Sequence, residues 1–223
     1  NWDISKNIDD WIINFIKDFQ SIIIKQIDKS KKIVFLRHGK TKMNDGTFLG
    51  QNRNPDINIS QTKFKRKLQC NKIYSSPLKR SDQTAKFISK SKVIHDKNLL
   101  EINYGRIEGL TKNKLYTKFP KLIENWKNGK DPKFPSGESQ GEVARRLNIF
   151  LKKIIKDNSK KICVVTHNVV LRCLIGIYFK IEKKFWYKIN IPHMLELEFL
   201  SNNKMIFPNI NRKKIKILFS NFE

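Results

Sequence analysis

Three short β-branched and aromatic runs each end in a cationic or proton-carrying side chain and are followed by a helical stretch. Ile33-Val34-Phe35-Leu36 runs into Arg37-His38-Gly39. Lys72-Ile73-Tyr74-Ser75-Ser76-Pro77 precedes a helical spacing over 78–89, with Arg80 three residues beyond the proline. Ile162-Cys163-Val164-Val165-Thr166 leads through His167 into a helical stretch at 169–179. Strand, polar turn and helix repeated in that order predict an α/β fold, a three-layer arrangement with a mostly parallel central sheet flanked by helices. Ligands of such sheets bind beyond the carboxyl ends of the strands. Side chains about 130 positions apart therefore converge on one pocket.

Between these units the spacing predicts helices over 111–128 and 139–156. Ser139 with Glu142 three residues later forms a capping box at the start of the second. Residues 68–71 leave little room for a helix before the second strand. The tail from 194 to 223 alternates like strands, with turn signals at Asn202-Asn203 and Pro208-Asn209. At the other end, Ile8, Trp11, Ile12, Phe15, Ile16, Phe19, Ile22, Ile23 and Ile27 recur at three- and four-residue steps, which predicts an amphipathic helix. It is suited to docking on the domain, to pairing with a second copy as a homodimer, or to lying on a membrane. The chain therefore divides into an N-terminal helical extension, 1–32, and a domain, 33–223. It starts with Asn1 and not Met, which leaves open whether sequence precedes it.

Charge narrows the function classes less than its size suggests. The formal net charge is +26, from 46 Lys and Arg against 20 Asp and Glu. Residues 1–32 carry six Lys and five Asp, so the domain bears the remaining +25. Such a surface attracts nucleic acid, anionic lipid or phosphorylated metabolites alike. Only nine of the basic residues are Arg, and a Lys-rich surface lacks the bidentate fork that reads bases, so no specific nucleic-acid partner is expected. The most apolar stretch, 11–27, is broken by Asn14, Lys17, Asp18, Gln20 and Lys25, which excludes a transmembrane span there. The first ten residues hold three Asp and no signal-like apolar core. Cys70, Cys163 and Cys173 are odd in number and lack metal-ligand spacing, as expected of buried free thiols in a reducing, cytoplasmic setting.

Two Arg and two His around one small volume suit a phosphoryl group, because guanidinium forks bind its oxygens in pairs and an imidazole can attack phosphorus. Leu36-Arg37-His38-Gly39-Lys40-Thr41 resembles the signature of the histidine phosphatase superfamily, which includes the phosphoglycerate mutases and works through a phosphohistidine. Further matches follow in the family's order: Asn44; Tyr74-Ser75-Ser76-Pro77-Leu78-Lys79-Arg80 with Gln83-Thr84-Ala85; Glu101-Ile102-Asn103-Tyr104-Gly105 with Glu108-Gly109; Phe134-Pro135-Ser136-Gly137-Glu138-Ser139; and Val165-Thr166-His167. The resemblance spans about residues 33 to 200.

It implies a phosphoglycerate mutase-like fold with His38 as nucleophile and Arg37, Arg80 and His167 around the phosphoryl group. Glu101 is implied as general acid, then base, a role that requires burial to raise its pKa. Asn44, the Gly50 backbone and Asn168 are expected on the phosphate or substrate side. His95 and His193 match no motif and are expected to be incidental. No metal and no cofactor are implied. Thr166-His167-Asn168-Val169-Val170-Leu171-Arg172 resembles the fructose-2,6-bisphosphatase branch, where an Arg five residues after the second His helps hold a sugar phosphate; Arg172 sits there, although Asn168 replaces Gln. Only 35 residues separate Glu101 from Gly137, short for the mutases' closing insertions. The expectation is a phosphomonoester hydrolase for a small phosphorylated metabolite, such as a sugar or polyol phosphate. A mutase and a non-catalytic basic scaffold are the alternatives.

Overall fold

Residues 33–36 of the first run alternate between two separate hydrophobic clusters, and this alternation sets the layering. In the computed structural model, which describes residues 30–62, 67–202 and 204–222, Ile33 and Phe35 enter one cluster while Val34 and Leu36 enter the other. Ile162 and Val164 likewise oppose Cys163 and Val165. Strands that bury both faces read as continuous apolar runs, which is why these stretches show no polar alternation.

The chain runs β1 (Lys31–Arg37), β2 (Lys72–Ser75), α1 (Lys79–Ile88), β3 (Val93–His95), α2 (Lys112–Lys118), α3 (Pro120–Lys127), α4 (Gln140–Ile155), β4 (Lys161–Thr166), α5 (Asn168–Tyr178), β5 (Glu196–Ser201), β6 (Ile206–Pro208) and α6 (Arg212–Phe219). The six strands form one sheet in the order β3-β2-β4-β1-β5-β6. Pairings β3-β2, β2-β4 and β4-β1 are parallel, whereas β5 and β6 add antiparallel. The larger cluster holds α4, α5 and α6 against one face, and the smaller holds α1 against the other. The expected three-layer α/β architecture is therefore present, with β1 in the interior of the sheet.

Local chemistry explains most boundaries. Ser139 caps α4 with the predicted box, its hydroxyl accepting from the Glu142 N–H while the Glu142 carboxylate accepts from the Ser139 N–H at 2.9 Å. The helix expected over 111–128 is instead two, α2 and α3. Pro120 occupies the first turn of α3, and the residue before it, Phe119, leaves the helical region at φ −133°, ψ 54°. The tail also differs from a purely stranded reading. After β5 and β6, Asn211 caps α6 by accepting from the Lys214 N–H, and Ile215, Leu218 and Phe219 are buried on one side. An eight-residue helix presents just two turns, too few for its period to stand out from alternation.

Residues 67–71 form no helix; Leu68 donates to the Ile88 carbonyl at 2.7 Å and ties this stretch to the end of α1. Cys163 and Cys173 are buried free thiols, while Cys70 is only half-buried. The predicted N-terminal helix and its docking or pairing fall within residues 1–29, outside the described residues. Among the described residues no helix is long and apolar enough to cross a membrane.

Candidate active site

The carboxyl ends of β1, β2 and β4 deliver the convergence that the topology requires. His38 follows β1, is 3% exposed, and donates its backbone N–H to the Thr166 carbonyl of β4. Its Nδ1 lies 2.6 Å from the Gly39 carbonyl oxygen. A carbonyl only accepts, so Nδ1 carries the proton and Nε2 keeps a lone pair. Burial, then Arg80, Arg37 and His193, holds the ring well below the usual histidine range, so the lone pair is free near neutral pH. The His167 ring lies edge-on at a centroid distance of 5.0 Å.

Arg37 and Arg80 are fixed by backbone carbonyls and not by carboxylates. Arg37 Nη1 donates to the Ile191 carbonyl at 2.5 Å, and burial pulls the guanidinium down to about 10, still cationic. Arg80 is fully buried; Nη2 donates to the Gly50 carbonyl at 2.7 Å and Nη1 to the Arg53 carbonyl at 3.3 Å. His167 closes β4 and caps α5, and its Nε2 meets the hydroxyls of Ser76 at 2.8 Å and Ser81 at 3.2 Å. Among the described residues, six buried side-chain polar atoms have no partner, and four belong here: Arg37 Nε, Arg80 Nε, His167 Nδ1 and Asn168 Oδ1. Buried polar groups are almost always paired, so such a cluster marks a place built for a polar guest.

Glu101 is 4% exposed, and its carboxylate accepts from the Ile102 N–H at 3.0 Å and the Val169 N–H at 3.1 Å. Burial pushes the carboxyl up, and the two N–H groups, Arg80 and Arg37 only partly oppose that. A buried carboxyl with a raised pKa can carry a proton at neutral pH and give it away. Arg172 donates through Nε to the Ile189 carbonyl at 2.8 Å, and its charge is felt by Tyr104, Glu101 and Arg37. Arg37, His38, Arg80, Glu101, His167, Asn168 and Arg172 are thus brought together.

Two of the expected substrate-side residues are placed differently. Gly50 has no free backbone group: its carbonyl holds Arg80 and its N–H donates to Glu108 Oε1 at 3.0 Å. A Cβ there would sit 2.9 Å from both Glu108 Oε2 and the Ile102 carbonyl, so only glycine permits this approach. Asn44 is exposed, and its Oδ1 closes a loop by accepting from the Thr41 N–H at 2.7 Å and the Thr41 hydroxyl at 3.1 Å.

The structure also adds residues. His193, expected to be incidental, stacks edge-on with His38 at 5.3 Å and approaches the His38 carbonyl through Nδ1 at 3.0 Å. It comes just before β5, the antiparallel neighbour of β1, which carries it to the end of β1; only knowledge of that pairing could have found it. Arg146 on α4 donates to the carbonyls of Asn98 and Glu101 at 2.9 and 3.0 Å and pairs with Glu138 at 3.0 Å. Glu138 in turn accepts from the Asn103 N–H, and together they anchor the Glu101 segment. Glu138 lies inside a quoted motif, whereas nothing local marks Arg146. His95, by contrast, sits apart at the surface, 2.8 Å from Asp82. Among the described residues no group of three His, Cys, Asp or Glu is arranged to hold a metal ion.

This constellation of two histidines, two arginines and a buried acid at the strand ends defines a phosphoryl-handling α/β enzyme. The chain belongs to the histidine phosphatase superfamily (branch 1), whose sequence profile matches residues 33–202, and it is an enzyme of phosphatase type. Phosphoserine phosphatase 1 of Hydrogenobacter thermophilus is 29% identical over 169 residues, covering 70% of this chain and 80% of that protein. The 2,3-bisphosphoglycerate-dependent phosphoglycerate mutase of Buchnera aphidicola subsp. Acyrthosiphon pisum is 28% identical over 211 residues, covering 74% and 90%. A phosphoserine phosphatase from Entamoeba histolytica, solved with phosphoserine, shares the fold with a TM-score of 0.68 at 21% identity, over 83% of this chain and 98% of that one.

Proposed function

We propose that the protein hydrolyses a small phosphorylated metabolite through a phosphohistidine on His38. The reading rests above all on the unpartnered Nε–H donors of Arg37 and Arg80, buried beside a histidine whose Nε2 is deprotonated. A phosphoryl group supplies acceptor oxygens for both donors and an electrophile for the lone pair.

In the first step Nε2 of His38 attacks phosphorus, the bond to the leaving oxygen breaks, and protonated Glu101 transfers its proton to that alkoxide. In the second, water attacks the phosphohistidine, Glu101 takes a proton from the water, and the nitrogen–phosphorus bond breaks to restore His38. Arg37 and Arg80 neutralise the charge spreading over the equatorial oxygens. Nε2 of His167 is engaged by two hydroxyls, and its unpartnered Nδ1 is left for the phosphoryl group, to which it donates in the tautomer that protonates Nδ1. Arg172 and Tyr104, near each other and near Glu101 and Arg37, suit a second polar or anionic group on the substrate. Sugar and polyol phosphates carry such groups, and so does phosphoserine, the substrate named for two of the relatives.

A panel of such compounds, assayed for phosphate release with a chelator present, tests the reading. His38→Ala should lower turnover more than about a thousandfold, some 4 kcal/mol of barrier. Undiminished release by His38→Ala, or none from any substrate by the native protein, refutes it. The mutase relative favours transfer to an acceptor alcohol instead; phosphoglycerate interconversion that depends on a bisphosphate primer would select that outcome.

A further inference from the structure

Among the described residues, His193 is a titratable side chain in ring contact with His38 that the proposed mechanism leaves without a task. Its Nδ1 lies 3.0 Å from the His38 carbonyl oxygen, which can only accept, so Nδ1 bears the hydrogen and Nε2 has a free lone pair. Its ring stands 5.3 Å from the ring of the nucleophile, on the opposite relationship from His167 in sequence but at a similar distance. The segment that carries it is rigidly tied to the site: Ile189 and Ile191 offer their carbonyls to Arg172 and Arg37, and the Met194 N–H donates to the Arg37 carbonyl at 3.1 Å.

The charges facing it are Arg37 at the end of β1, Lys40 in the loop that follows, and Arg80 on α1, with His38 in ring contact; Glu196 follows on its own segment. Burial and Arg37 pull His193 down to about 4, so it is neutral in the free site. A dianion seated between Arg37 and Arg80 offsets the positive charges that hold His193 neutral, and an imidazole with an available lone pair then gains affinity for a proton.

We propose that His193 is a positioning residue that takes up one proton when a tetrahedral oxyanion dianion enters the pocket, so that phosphoryl binding and protonation of this ring are coupled. This rests on the pocket being a phosphoryl site. The proton comes from solvent and adds to Nε2; no bond to phosphorus is made or broken at this ring. The resulting imidazolium keeps its Nδ1–H on the His38 carbonyl and sets a positive charge beside the nucleophile while the phosphoryl group is bound.

Tungstate, a dianion throughout the neutral range, separates the two ideas. Calorimetric titration of the full chain with tungstate, at one pH near 7 in buffers of different ionisation enthalpy, counts the protons taken up on binding. The expected value is about one per tungstate for the native protein, with affinity falling as pH rises. In His193→Asn the amide still donates to the His38 carbonyl but cannot be protonated, so tungstate should bind with no uptake attributable to this position. In the native protein, 15N spectra of the His193 ring should move from a lone-pair to a protonated Nε2 on addition of tungstate. Tungstate binding with equal proton uptake in His193→Asn, or with an unchanged His193 spectrum, assigns the proton to His38 or His167 and overturns the proposal while leaving the phosphoryl site intact. Failure of the native protein to bind tungstate removes the phosphoryl site and the proposal with it.

Discussion

Glu101 accepts the backbone N–H of Val169 at 3.1 Å, so the carboxyl group from one loop forms part of the cap of the helix that begins beside His167. A helix N-terminus favours the anion, while burial favours the acid, and burial prevails. Glu101→Gln keeps an acceptor for Val169 and removes the proton donor. Hydrolysis of alkyl phosphates should fall by about 10²–10⁴, and of aryl phosphates, whose leaving groups need little protonation, far less. Equal losses on both would deny Glu101 its acid role. Because its folded pKa is raised, the folded state holds the extra proton, and stability from this group declines as pH rises through the folded value. The variant should therefore be the more stable protein at alkaline pH, relative to the native one, in denaturant titrations.

Arg146 lies behind that carboxylate, on the Glu101 carbonyl at 3.0 Å. Arg146→Ala frees the Glu101 carbonyl and leaves Glu138 without its cationic partner. A shift of about 1 Å in a reacting group costs up to about a hundredfold in kcat. That loss should be larger for alkyl than for aryl phosphates, reproducing the Glu101→Gln signature, with a smaller change in KM.

Asp157 gathers Lys72 and the Tyr74 hydroxyl, both at 2.8 Å, with the Ser159 N–H at 2.9 Å. Burial acts to raise this carboxyl, but these donors together hold it well below the usual carboxylate range. A depressed pKa gives stability that is present above the unfolded value, about 3.9, and lost as pH falls toward the folded one. Asp157→Asn should destabilise the protein at neutral pH and flatten its acid-unfolding limb. An acid limb of unchanged steepness would remove Asp157 from its causes.

Gly176, on α5, faces the indole of Trp186, whose Nε1 donates to the Ile181 carbonyl at 2.8 Å. A Cβ at this position would lie 2.2 Å from that nitrogen. Gly176→Ala gains helix propensity but must displace the ring, and overpacking of this kind costs about 1–3 kcal/mol. The denaturation midpoint should fall; a rise would mean the indole moves without cost.

What was legible in the sequence was local. Arg37, Arg80 and His167 each sit within a few residues of a strand end, and a parallel sheet brings strand ends together whatever the loops do. Ser139 and Glu142 announce α4 by their spacing alone. Pro120 carried a local signal that the single-helix expectation over 111–128 passed over: the residue before a proline leaves the helical region, and the break falls at Phe119. His193 and Arg146 act across about 155 and 45 residues, through contacts set by a strand pairing and by a helix laid across a loop. Gly50 fell between: its backbone was expected on the substrate side, but that its carbonyl orients Arg80 depends on where α1 ends up.

The placement of β1 between β4 and β5 has a consequence for the order in which the protein comes into being. A ribosome delivers Arg37 and His38 early, yet the chain must extend through residue 201 before β1 has both neighbours, and through Ile191 before the Arg37 guanidinium has the carbonyl that holds it. Until then the nucleophile hangs from a strand with an open edge. Closure over so long a loop is slow relative to local helix formation. Reactivity is therefore predicted to arrive late in maturation, and phosphate release by a chain shortened to end just after α5 would contradict it.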